Sequence, residues 1–140
     1  MDGVRIAMEK IKLITLPPRE VYERMGRETD AVIIDVRSEL EYFFVGAPVG
    51  AVNIPWRDAP DWDVNPRFAE LVAQVANRDQ PVYLICRSGV RSIDAGNALI
   101  EAGYRRVFNV GEGFEGAIDE NLHRGKLGGW RFHGLPWRQC

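Results

Sequence analysis

Short apolar runs rich in β-branched residues recur along the chain: KLITL (12–16), AVIIDV (31–36), AVNI (51–54), PVYLIC (81–86) and RVFNV (106–110). Their length and composition predict strands, and the unbroken ones predict strands buried on both faces. Helical segments are expected between them. PREVYERM has Pro18 near its first turn, and SELEYFF is opened by Ser38. NPRFAELVAQVA has Asn65 as cap and Pro66 at the first position, and VRSIDAGNALIEAG is closed by Gly103. Phe68, Leu71, Val72 and Val75 recur at helical spacing, as do Ile93, Leu99 and Ile100 less regularly, so one face of each helix should cover a sheet. Strands alternating with helices predict an α/β fold with a central, mainly parallel five-stranded sheet flanked by helices.

Two stretches break this rhythm. FVGAPVGAVNIPWRDAPDWDVNP is a long Gly- and Pro-punctuated connection with one short strand inside it, and connections of that length often border a site. The ending, GKLGGWRFHGLPWRQC, has little periodicity but carries Trp130, Phe132 and Trp137, and is expected to pack over the domain as an irregular tail. No repeat, low-complexity tract or linker interrupts the chain. A single domain over residues 1–140 is expected, with a core at about 11–120 and a tail at 121–140.

Composition narrows the classes. At 140 residues, 46% of them hydrophobic, the chain is long enough to bury a core of its own. A net charge of −2 argues against nucleic acid or an anionic membrane as partner, so any basic site must be local. No apolar run approaches the roughly 20 residues of a membrane span. Charges break the start, MDGVRIAMEKIKLITL, where a signal peptide would be apolar, so a cytoplasmic protein is expected. Two cysteines, Cys86 and Cys140, are too few for a disulfide framework, and two histidines, His123 and His133, leave little material for a zinc site. No metal or other cofactor is implied.

The candidate chemistry lies in ICRSGVRS, residues 85–92. If PVYLI is a strand and a helix begins near Val90 to Ser92, Cys86 sits at the carboxyl end of a parallel strand, the usual ligand site of such a sheet. Gly89 allows the chain to curve there, while Arg87, Ser88, Val90 and Arg91 can turn their amides inward, making an anion-binding loop. The same amides and guanidinium groups favour thiolate over thiol, which makes Cys86 a candidate nucleophile. Arginines at a helix start oppose the helix dipole, and such local misfits concentrate at sites.

These residues also carry a resemblance. CRSGVRS resembles the active-site loop of rhodanese-type sulfurtransferases. VIIDVRSELEYFFVGAPVGAVNIPW is similar to their region around the first core strand, and ALIEAGYRRVFNVGEGFEG to the stretch after the catalytic helix. The chain departs from the family at Ala47, Pro48 and Val49, and at Glu112 within VGEGFEG. The resemblance implies a single-domain rhodanese in which the Cys86 thiolate takes sulfur from a donor such as thiosulfate. The persulfide then passes it to cyanide, a thiol or a protein acceptor. Arg87 and Arg91 would orient the sulfonate. Related phosphatases and arsenate reductases generally carry one more residue between cysteine and arginine, so phosphoryl chemistry is the weaker alternative. A non-catalytic binding module of the same fold is another.

Other residues are weighed beside the loop. Asp35 is expected to brace loops near the site, and Arg37 either adds charge to the pocket or pairs with Asp35 or Glu39. Ser92 would support the loop from the helix. Trp56 and Arg57 are expected to pack and to be solvated, respectively. His123 and His133 belong to no motif with Cys86, and Cys140 is expected to have no role.

Overall fold

A computed structural model describes residues 11–139. The chain runs β1 (Ile14–Leu16), α1 (Pro18–Arg27), β2 (Val32–Asp35), a π-helical turn (Glu41–Val45), β3 (Ala47–Pro48) and β4 (Val52–Asn53). It continues with α2 (Phe68–Val72), β5 (Val82–Ile85), α3 (Arg91–Glu101), β6 (Val107–Val110) and β7 (Trp137–Arg138). Five strands form one sheet in the order β1-β6-β5-β2-β4, and every neighbouring pair in it is parallel. All five expected strands are therefore present, with β5, which leads into Cys86, at the centre.

Alternation along the strands divides the core. Val82, Leu84 and Cys86 point to a face covered by α2 and α3 through Phe68, Val72, Ala95 and Leu99. Tyr83 and Ile85 point to the opposite face, where Val21 of α1 and Trp130 of the tail cover them. Tyr83 and Phe108 stack there across neighbouring strands, with ring centroids 4.9 Å apart. Both faces are thus dry, which is why these strands read as continuous apolar runs.

The helices differ from expectation in informative ways. α1 starts at Pro18, where a missing amide hydrogen costs nothing. α2 covers only Phe68–Val72. Asn65 does receive the Arg67 amide, at 3.0 Å, but beyond Val72 the chain tightens through bonds from Gln74 to Leu71 and from Val75 to Val72. The buried face continues as Phe68, Val72 and Ala76, four residues apart, and leaves Val75 exposed. α3 ends as predicted: Gly103 adopts φ +100°, and bonds from Gly103 to Ile100 and from Tyr104 to Leu99 close a Schellman motif. Its buried face is Ser92, Ala95, Gly96 and Leu99, while Ile93 is exposed. Gly96 packs against Leu13, just before β1, where a Cβ would come within 2.7 Å of the end of the Leu13 side chain.

SELEYFF is helical as expected over residues 39–45, but from Glu41 to Val45 it takes the π form. Ser38 and Glu41 make reciprocal bonds at its start, including Ser38 Oγ to Glu41 Oε1 at 3.0 Å, the pattern of a capping box. The tail packs over the molecule as expected and adds order of its own: β7 pairs antiparallel with β3. Trp130 is buried, edge-on to Tyr22, whereas Phe132 and Trp137 remain partly exposed. Among the described residues no helix is long and apolar enough to cross a membrane.

Candidate active site

Parallel pairing sets Asp35 opposite Ile85, so the chain leaves β2 and β5 at the same edge of the sheet. Cys86 follows immediately, and residues 87–90 bend before α3 begins at Arg91. Gly89 takes φ +94°, and its amide donates to Cys86 Sγ at 3.1 Å. Ser92, on the first turn of α3, places its Oγ 3.2 Å from the same sulfur. Among the described residues the N–H groups of Arg87, Ser88 and Val90 are left without a protein acceptor.

A second loop supports the first from below. Phe114 N–H donates to the Cys86 carbonyl at 2.8 Å, and Glu115 N–H to the Arg87 carbonyl at 2.9 Å. Gly113, at φ +66°, lies so close that a Cβ there would come within 2.6 Å of Arg87 backbone atoms. Only glycine satisfies both the backbone angle and the approach. Asn109, one strand over on β6, is hydrogen-bonded to Ser92 and donates to the Gly89 carbonyl at 3.2 Å.

The two loop arginines have different surroundings. Arg91 is clamped by Glu41, with Nη1 and Nη2 at 2.8 and 2.9 Å from its two carboxylate oxygens. Burial alone would raise the Glu41 carboxyl; Arg91 and Ser38 outweigh it and hold it at about 2. Arg87 is exposed. Of the two loop arginines, Arg91 is neutralised and Arg87 has no ion pair among the described residues.

Asp35 and Arg37 form a fully buried pair. Arg37 Nε donates to both Asp35 oxygens at 2.9 and 3.1 Å, and Nη2 also reaches the Gly46 carbonyl. Burial raises the Asp35 carboxyl from its ordinary value while Arg37 pulls it down. Protonating it would strand a buried guanidinium, so the pair braces the loop at Gly46 as an ionised unit. Arg37 is therefore paired with Asp35, as one of the two expected arrangements, and its Nη1 lies 4.0 Å from Glu115. Trp56 packs edge-on against Phe68 at 5.2 Å, as expected of a packing tryptophan, and Arg57 caps the Trp62 carbonyl at 2.8 Å.

His133 bonds Glu112 at 2.9 Å, and His123 is exposed and bonded through its backbone. Cys140 lies outside the described residues. Among those residues, no three His, Cys, Asp or Glu side chains converge as metal ligands. Sequence reasoning passed over Glu41 and Asn109. The Ser38-x-x-Glu41 spacing was the available signal for the first; the second becomes visible only through strand register.

A cysteine at the carboxyl end of the central strand of a parallel sheet, held in a loop that opens a helix, defines the class. The chain matches the Rhodanese-like domain family over residues 17–120 and belongs to it. It is 38% identical to Rv0390 from M. tuberculosis, whose crystal structure superposes with a TM-score of 0.84 over 92% of this chain and 99% of that one. Thiosulfate sulfurtransferase GlpE of Glaesserella parasuis is 30% identical over 107 residues, covering 76% of this chain and 88% of that protein. Protein RC0915 of Rickettsia conorii is 28% identical over 124 residues, covering 85% and 92%. The α/β sheet with flanking helices is that of rhodanese-like domains, and sulfurtransferase activity is supported at the level of the family.

Proposed function

We propose that the protein is a cytoplasmic sulfurtransferase of one rhodanese-like domain, moving sulfane sulfur through a persulfide on Cys86. The observation that carries this reading is the position of Cys86 Sγ. It lies at the end of β5 and receives the Gly89 amide at 3.1 Å, in a loop where the amides of Arg87, Ser88 and Val90 meet no protein acceptor among the described residues. Arg87 attracts the anionic donor to the mouth. The thiolate attacks the outer sulfur of thiosulfate, the sulfur–sulfur bond breaks, and sulfite leaves with the bonding pair. Cyanide, a small thiol or a protein thiol then attacks the outer sulfur of the persulfide and regenerates the thiolate. The loop amides stabilise negative charge on sulfur throughout the cycle.

Access argues the same way. Cys86 is only 1% exposed, so a terminal sulfur atom reaches it more readily than a phosphate ester does. The five-position spacing from Cys86 to Arg91 also favours the smaller group over a phosphoryl group.

The test is the intact mass of the protein after brief exposure to thiosulfate and again after cyanide, with Cys86→Ser alongside. Gain of one sulfur on the wild type alone, discharged by cyanide, is the expected result. No gain from thiosulfate or from a persulfide-bearing protein donor would favour a non-catalytic binding module.

A further inference from the structure

Hydrogen-bond roles around Asn109 can be assigned by elimination. The Gly89 carbonyl can only accept, so the amide nitrogen of Asn109 faces it at 3.2 Å, and the same nitrogen reaches Thr15 Oγ1 at 3.2 Å. Asn109 Oδ1 therefore points at Ser92. An amide oxygen also can only accept, so the single hydroxyl hydrogen of Ser92 belongs to Asn109. Ser92 Oγ, 3.2 Å from Cys86 Sγ, then shows the sulfur only its lone pairs. A protonated thiol can donate to that oxygen; a thiolate cannot and is repelled by it.

We propose that Asn109 is a positioning residue that sets the polarity of the Ser92–Cys86 contact and so restrains ionisation of the unloaded thiol. When Cys86 loses its proton to solvent, the Ser92 hydroxyl must turn from Asn109 to the sulfur. Asn109 is 1% exposed, and the turn leaves its oxygen without a donor. The Gly89 amide donates to the sulfur and favours the thiolate, so the Ser92 contact opposes it. In the persulfide the charge lies on the outer sulfur, one bond farther from Ser92, so the tether opposes the bare thiolate more than the loaded enzyme. The inference rests on Cys86 being the nucleophile of the proposed reaction.

The experiment is the rate of alkylation by iodoacetamide against pH, followed by mass on the Cys86 peptide. It compares wild type, Asn109→Leu and Asn109→Ala, each also in a Ser92→Ala background. Removing the acceptor frees the Ser92 hydroxyl to donate to sulfur. The midpoint of the profile then falls by about one pH unit, roughly tenfold faster alkylation on its acid side. In the Ser92→Ala background the shift disappears. Folded Asn109 variants with wild-type profiles would overturn the proposal. So would a shift that survives without Ser92, which would assign the effect to displacement of Gly89. The infrared S–H stretch needs no Asn109 variant: donation to Ser92 lowers it in the wild type, and Ser92→Ala raises it. An unchanged band would also refute the assignment. Alkylation does not require sulfur transfer, so a protein with the predicted profiles that takes no sulfur from thiosulfate would fail the sulfurtransferase reading and not this one.

Discussion

Glu41→Gln isolates the charge in the Glu41–Arg91 clamp while keeping an amide oxygen for Ser38. The two bonds are 2.8 and 2.9 Å long, and the Arg91 and Glu41 side chains are 25% and 20% exposed. The Glu41 carboxyl falls from 4.5 to about 2 on folding. Complete linkage of a displacement that large is roughly 3 kcal/mol, and the solvent that reaches both side chains reduces it to about 1–2 kcal/mol. Because the folded-state value is the lower one, this stability is fully present above about pH 4.5 and disappears as pH falls from there towards 2. The assay is urea unfolding of wild type and variant from pH 7 down to the lowest pH at which both still fold. At pH 7 the variant midpoint should be lower by about 0.5–1 M. The gap should narrow steadily below pH 4.5 as the wild type loses what the variant never had. A gap that stays constant across that range would mean that shape, not charge, makes the contact, and would refute the reasoning.

Three further substitutions probe the loop and its supports. Arg87→Ala removes the unpaired cation at the mouth and should raise KM for thiosulfate about 3- to 10-fold, an effect that shrinks in high salt; an unchanged KM would remove Arg87 from donor binding. Gly113→Ala forces a Cβ within 2.6 Å of the Arg87 backbone at φ +66°, and should cost about 1–3 kcal/mol in unfolding assays as well as slow sulfur loading. Wild-type stability there would show that the two loops are not in firm contact. Trp130→Ala empties a site only 3% exposed over the Tyr22 side of the sheet and should cost about 3–5 kcal/mol in urea unfolding; a loss below 1 kcal/mol would mean that the tail is not part of the core.

The strands were legible because burial on both faces writes itself as an unbroken apolar run, and β2, β5 and β6 all follow that rule. On α3, Leu99 and Ile100 were placed correctly and Ile93 was not, because the rest of the buried face is Ser92, Ala95 and Gly96, small residues that carry little hydrophobic signal. β3 and β7 escaped notice because each is two residues long and exists only through pairing across some ninety positions of sequence. Cys86 stood out through its place at a strand end. Asn109 did not, because its role comes from lying on β6, one strand away from the cysteine loop, and bonding residues from β1, the loop and α3 at once.

The loop first drew attention as a local misfit, two arginines where a helix dipole disfavours cations, and the structure resolves the two in opposite ways. Arg91 occupies the first position of α3, where the cost is greatest, and Glu41 neutralises it from the π turn. Its charge is therefore spent within the fold, tying the β2–β3 connection to the start of the helix that carries Ser92. Arg87 is one residue beyond the cysteine, exposed, and without an ion pair among the described residues. Folding gives no return for that charge, since removing an exposed unpaired cation rarely alters stability by much. A cation that does nothing for the fold, beside amides without a protein acceptor among the described residues and a sulfur at the end of the central strand, is what the proposed anionic donor would require.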